Sequence, residues 1–296
     1  MYEVDVLIHG FPGRSVCHGG LGWSTITLLR GFGRVVLIDV GAFGVRKPLA
    51  RQLAARGVGP DEVTDVVLTH AHYDHAVNFT LFPKARVWIG DDELKWAAAA
   101  PAGFNPLPEL YVRELSQSAR VHRLRPGDEF LPGMNAHAAP GHTPGHLIFT
   151  VEGISRPVLF TGDAAKNRAE LLSRQVADSD EMTNSLHSID LIWQCWRERP
   201  GTVLIPGHDL PMQLDAAGVP HYLVEREAGI TAWFAEDFGQ TTLIDLCQAG
   251  RKSEETLAGG GIFSALVQRQ PDSSAMPIRQ GRRLKNTSLL DDNKGR

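Results

Sequence analysis

Residues 69–75 read Thr-His-Ala-His-Tyr-Asp-His and follow directly on the run Asp-Val-Val-Leu-Thr at residues 65–69. The short, nearly all-apolar run predicts a buried strand, and the seven residues after it place His70, His72, Asp74 and His75 at that strand's end. Polar groups are not packed together at the edge of a core without a partner, because desolvating them unpaired is costly. Three imidazoles and a carboxylate form a donor set that suits zinc and is poorly matched to calcium or magnesium, which prefer oxygen. A tight loop after a strand end can turn alternate side chains to one point, so these four residues form a candidate metal site.

The surrounding pattern predicts mixed α and β structure. Strands are expected at 4–8, 25–30, 34–39, 86–89, 147–151, 157–161 and 202–205, where β-branched and apolar residues concentrate, with Gly31-Phe32-Gly33 as a hairpin turn. Helices are expected at 47–56, closed by Gly57, at 91–100 and at 185–199. The glycine-rich stretch 10–23 reads as a loop long enough to cover something, and 101–118, opened by three prolines and a glycine, reads as an inserted loop or lid. These elements place one domain at residues 1–250. Residues 251–296 form a C-terminal extension that should be flexible from about 268, where seven Lys/Arg stand against three Asp with few large apolar residues.

Composition narrows the partners. A net charge of −4 gives no broad field for nucleic acid or an anionic membrane. Three widely spaced cysteines argue against a disulfide framework and for a reducing compartment. No uncharged apolar run reaches the ~18 residues of a membrane span, and the N-terminus lacks a basic leader. A cytoplasmic protein acting on a small molecule is the expectation, with the oligomeric state left open.

Further landmarks follow in order: Gly141-His142-Thr143-Pro144-Gly145-His146, then Phe160-Thr161-Gly162-Asp163, then Pro206-Gly207-His208, with Leu37-Ile38-Asp39-Val40-Gly41 upstream. With His70-x-His72-x-Asp74-His75 they resemble the metallo-β-lactamase-fold hydrolases over roughly residues 4–246, and the spacing is closer to the lactonase branch than to glyoxalase II-like thioester hydrolases. The resemblance implies an α/β, four-layer αββα sandwich of two mixed sheets flanked by helices. It implies two zinc ions, with iron or manganese allowed in one position. One ion would sit on His70, His72 and His142, the other on Asp74, His75 and His208, with Asp163 bridging. The reaction implied is attack by a metal-bridging hydroxide on a small ester-like substrate, a lactone first. Thioester or phosphodiester hydrolysis is the alternative, and a non-catalytic metal-binding scaffold protein the remote one.

Asp74 is the candidate catalytic carboxylate, able to orient the nucleophile or carry a proton. Asp39 and His146 are candidates for supporting the ligands by hydrogen bonds, as metal-bound histidines commonly require. Lactonases of this fold commonly carry a tyrosine just beyond the bridging Asp, whereas this chain reads Asp163-Ala164-Ala165-Lys166. Lys166 is therefore a candidate substrate contact, as are Tyr73 in the metal loop, His18 in the glycine-rich loop and His187 at the start of the helix after Asp163. The competing assignment for Lys166 is a local ion pair with Glu170. No G-x-S-x-G, P-loop or dinucleotide fingerprint is present, which leaves serine hydrolase, NTPase and Rossmann readings without support.

Overall fold

A computed structural model describes residues 1–15, 18–104 and 106–247. The expected extension 251–296, including the flexible stretch from 268, lies outside the described residues.

In chain order the first half contains β1 (Glu3–Ile8), the short β2 (Arg14–Ser15) and β3 (Gly19–Gly20), β4 (Ile26–Gly31), β5 (Arg34–Ile38), α1 (Arg46–Ala55) and β6 (Asp65–Val67). It continues through α2 (Tyr73–Ala76), β7 (Arg86–Gly90), α3 (Asp91–Ala99), α4 (Glu109–Gln117) and β8 (Val121–Leu124). The second half contains β9 (Glu129–Leu131), β10 (Met134–Ala138), β11 (Leu147–Glu152), β12 (Pro157–Gly162), α5 (Arg168–Ser173), α6 (Met182–Glu198), β13 (Val203–Pro206), β14 (Met212–Leu214) and β15 (Pro220–Tyr222). One sheet runs β1-β4-β5-β6-β7-β8 and the other β15-β14-β13-β12-β11-β10-β9. Both are mixed: β5 through β8 are parallel, as are β12 and β13, and the other neighbours are antiparallel. Met1–Ala228 forms one compact unit, and a second begins at Gly229 with the antiparallel pair β16 (Gly229–Ala232) and β17 (Thr242–Asp245).

Strand alternation builds the layers, because successive side chains leave opposite faces. Leu28, Leu37, Val66 and Leu68 turn outward and pack under Leu49 and Leu53 of α1, Leu94 of α3 and Val112 and Leu115 of α4. Their neighbours Leu29, Val36, Ile38 and Val67 turn inward and meet Phe149, Val151, Val158, Phe160 and Ile205 of the second sheet. On that sheet's outer face Ile148, Leu159 and Leu204 lie beneath Leu171 of α5 and Ile192 and Trp196 of α6. The result is helices, sheet, sheet, helices.

Three expectations need correction. The stretch 10–23 is not free of regular structure: β2 and β3 pair across it, and Phe11 stacks on Trp23 with ring centroids 4.8 Å apart. Residues 101–118 are not simply a lid, since once past the prolines Glu109–Gln117 forms α4 and buries Val112 and Leu115. The last helix starts at Met182 rather than Ser185, because the Glu181 carboxylate accepts the free N–H groups of Thr183 at 3.0 Å and Asn184 at 2.7 Å.

Candidate metal centre

The parallel strands β5 and β6 end side by side, so the turn after β5 lies next to the loop after β6. Asp39 holds φ +50, an uncommon conformation for a non-glycine residue. There its carboxylate accepts the Thr69 N–H and Thr69 hydroxyl, each at 2.9 Å, and the His75 Nδ1–H at 2.8 Å. With its proton given to Asp39, the Thr69 oxygen accepts from His70 Nδ1 at 3.0 Å. Both histidines thereby carry the proton on Nδ1 and turn the Nε2 lone pair inward. His142, in the loop before β11, gives its Nδ1–H to the Asp178 carbonyl at 2.8 Å and likewise frees Nε2.

These lone pairs converge. His72 Nδ1 and His142 Nε2 are 3.0 Å apart, and His75 Nε2 and His208 Nε2 are 3.3 Å apart. Asp163, at the end of β12, stands between the two pairs. Its Oδ2 lies 3.3 Å from His142 Nε2, while Oδ1 lies 3.2 Å from His75 Nε2 and 3.3 Å from His208 Nε2. Asp74 Oδ2 is 3.3 Å from His208 Nε2. Three overlapping groups, His70/His72/His142, His70/His75/Asp163 and Asp74/His75/His208, each bring their ligand atoms within 4.8 Å of one another. His70 Nε2 is buried with no hydrogen-bond partner among the described residues, an expensive orphan that a cation would satisfy. Gly207 packs against this cluster, and a Cβ there would collide with Asp163 Oδ1.

Electrostatics agree with a cation site. Burial holds His72 down to about 3 and His142 to about 4, so both are neutral and ready to coordinate at neutral pH. Burial also works against a charge on His208, but Asp163 and Asp74 outweigh it and carry that imidazole up to about 9. Desolvation is outweighed in Asp74 too, chiefly by His75 and His208, and its carboxyl is held near 2. Without metal, the carboxylates favour a second proton on Nε2 of His75 and of His208, which divalent ions would displace to reach the lone pairs.

The centre opens into a cleft of about 620 Å³ whose walls include Gly13, Tyr73, Pro106, Lys166 and Asp178. Tyr73 is among these walls and 40% exposed. Lys166 also lines the cleft, but its ammonium is taken up locally: Nζ donates to the Ala177 carbonyl at 2.6 Å and pairs with Glu170 at 3.0 Å. His146 is fully buried and accepts the Asp163 N–H on Nε2 at 3.0 Å, which leaves His142 as the histidine of its loop that reaches the cluster. The structure does not bring His18 or His187 to the cleft. His18 is exposed, its N–H bound to Ser15 Oγ at 3.2 Å. His187 lies inside α6 and not at its start, because the Glu181 cap begins the helix earlier, and its side chain faces outward, exposed. Arg14 and Asp178, both lining the cleft, form an ion pair.

One participant left no mark in the sequence. Glu93, in the first turn of α3, is fully buried, and its carboxylate accepts Ala71 N–H at 2.9 Å, the Thr143 hydroxyl at 2.6 Å and Gly145 N–H at 3.2 Å. Burial pushes it up to about 7 despite these three donors. An acidic residue in a helix's first turn is commonplace, so only the fold distinguishes this one from its exposed neighbour Asp92.

A profile of the Metallo-beta-lactamase superfamily matches residues 19–208, and the chain belongs to that superfamily. With this fold and this cluster of ligand side chains it is a metal-dependent hydrolase. Metallo-beta-lactamase domain-containing protein 1 of Xenopus laevis is 27% identical over 191 residues, covering 64% of this chain and 72% of the relative. An N-acyl homoserine lactonase of a Bacillus species is 25% identical over 170 residues, covering 56% of this chain and 64% of the relative. The chain spans about three fifths of the mouse and rat counterparts of the Xenopus protein. Among solved structures, AidC, a dizinc quorum-quenching lactonase bound to its product, shares the fold with a TM-score of 0.58 at 16% identity, covering 70% of this chain and 82% of that one. No helix among the described residues is long and apolar enough to cross a membrane.

Proposed function

We propose that this protein is a two-metal hydrolase of small ester-like substrates, with lactones as the first candidates and zinc as the expected metal. The observation that carries the two-metal reading is the position of Asp163, one carboxylate oxygen facing His142 and the other facing His75 and His208 at 3.2–3.3 Å. His70, His72 and His142 would hold one ion, Asp74, His75 and His208 the other, with Asp163 shared. When bound, such a pair supplies Lewis acidity at the substrate oxygen and lowers the pKa of water toward ~7.

The chain's own groups do the rest. Asp39, Thr69 and the Asp178 carbonyl fix the tautomers of His75, His70 and His142. Asp74 lines the cleft, stays ionised, and is the carboxylate placed to accept and return a proton at the reacting centre. Lys166, held by Glu170 and Ala177, shapes the wall rather than presenting a free charge, so carbonyl recognition falls to the metal pair. The lactone preference is supported by the Bacillus relative, which is a lactonase. Protein purified without chelator should carry close to two transition metals per chain, and a panel of lactones, thioesters and phosphodiesters should show turnover that disappears in His72→Ala. Activity in metal-free protein overturns the two-metal reading; turnover confined to thioesters or phosphodiesters overturns the lactone assignment.

A further inference from the structure

His72 and His142 must bring their ring nitrogens to one ion from opposite sides of the sandwich. The first follows β6 in one sheet, the second precedes β11 in the other, and their ligand atoms are 3.0 Å apart. Backbone pairing contributes one tie here, Leu147 N–H to the Thr69 carbonyl at 3.0 Å. The other tie is a side chain. Glu93 extends from α3 and grips both loops at once, Ala71 between His70 and His72 on one side, Thr143 and Gly145 just after His142 on the other.

We propose that Glu93 is a positioning residue for the three-histidine half of the centre, setting the separation of the His70/His72 loop from the His142 loop. Its hydrogen bonds go to residues beside the ligands, two backbone N–H groups and the Thr143 hydroxyl, so it acts through the loops that carry them. Three donors among the described residues meet the carboxylate, and each of these contacts needs an oxygen there. The His142 loop is also pressed onto the helix: a Cβ on Gly145 would run into the Glu93 backbone nitrogen, and one on Gly90 would crowd the Gly145 carbonyl at 2.8 Å. The Asp74/His75/His208 half is supported from elsewhere, by Asp39 and by the Lys166 carbonyl, which accepts His208 N–H at 2.8 Å. Loss of Glu93 should therefore unbalance the centre, weakening one ion and sparing the other.

The inference rests on the two-metal reading, and its test separates the two. Full-length metal-free wild type, Glu93→Gln, Thr143→Val and Thr143→Ser are titrated with cobalt(II), followed by its visible absorption, and with zinc against a competing chelator. Repeating the titrations on a His208→Ala background isolates the three-histidine ion. In Glu93→Gln an amide NH₂ must oppose Ala71 N–H or Gly145 N–H, so the three-histidine ion should bind ~10–100-fold more weakly, the usual effect of losing an outer support of a metal ligand. The second ion should keep its affinity, and the metal-free variant should melt no lower than wild type at pH 8. Thr143→Val, which removes one of the three donors, should weaken the same ion less, and Thr143→Ser should restore it. Wild-type affinity for both ions in Glu93→Gln overturns the proposal, as does an equal loss of both accompanied by a lower metal-free melting temperature. If Glu93→Gln does not fold, the Thr143 pair decides: selective weakening with Val and recovery with Ser supports the proposal, and no difference between them overturns it. Wild type that binds no metal removes the two-metal reading and this inference with it.

Discussion

Asp39 spends an uncommon backbone conformation on three hydrogen bonds, two to Thr69 and one to His75. Replacing it with Asn puts an amide donor where the carboxylate accepts from the Thr69 hydroxyl and His75 or from the Thr69 N–H. We expect Asp39→Asn to lower affinity for the His75 ion ~10–100-fold, read as metal retained after dialysis against a weak chelator. Glu93 makes a prediction about acidity in the metal-free protein. Its folded pKa, about 7, lies above the ordinary 4.5. A raised carboxyl pKa means the folded chain holds the proton more tightly than the unfolded one, so stability present below pH 4.5 is lost as pH rises through 7. The ceiling is about 3 kcal/mol, at roughly 1.36 kcal/mol per unit. In urea unfolding of metal-free protein, wild type should lose ground to Glu93→Gln between pH 4.5 and 8, and a gap that stays constant with pH contradicts this.

At the scale of elements, the legible parts of the chain were those where one periodicity dominates. Val66, Val67 and Leu68 are buried on both faces and read as a central strand, and Leu49 and Leu53 mark α1 by helical spacing. The ligand loops were legible because His, Asp and Gly are rare in such groupings. What escaped notice was short or mixed. β8 carries His122 and Arg123 within four residues, β9 and β14 span three residues each, and none has a run long enough to stand out from turn sequence. In α4 the apolar residues Leu110, Tyr111, Val112 and Leu115 follow directly on the 101–108 prolines, which hide the helical register, and packing on α3 and the first sheet decides the element. Leu115, 1% exposed beneath that sheet's helical layer, is accordingly a full core residue. Leu115→Ala should cost about 2–5 kcal/mol in chemical denaturation, a loss that a mobile lid would not show. Glu93 and the Asp178 carbonyl were illegible for another reason: their partners stand 22–52 and 36 residues away.

For the molecule as a whole, two carboxylates and five imidazoles, largely buried, share one seam between the sheets. Ions that bind only the folded chain stabilise it by mass action, about 4 kcal/mol at a thousandfold excess over Kd. Chelation should therefore lower the melting temperature by several degrees and re-addition of zinc should restore it; His72→Ala should show a much smaller response. The order of the ligands along the chain adds a consequence for biosynthesis. His70, His72, Asp74 and His75 leave the ribosome early, whereas Asp163 and His208 follow about ninety and a hundred and thirty positions later. A nascent chain with only the first sheet complete has half of each binding pocket and nothing to bridge them. On the proposed assignment the three-histidine ion has all its ligands once β12 has delivered Asp163, whereas the second ion waits for His208 behind β13, so the two halves of the centre would be completed in sequence during synthesis.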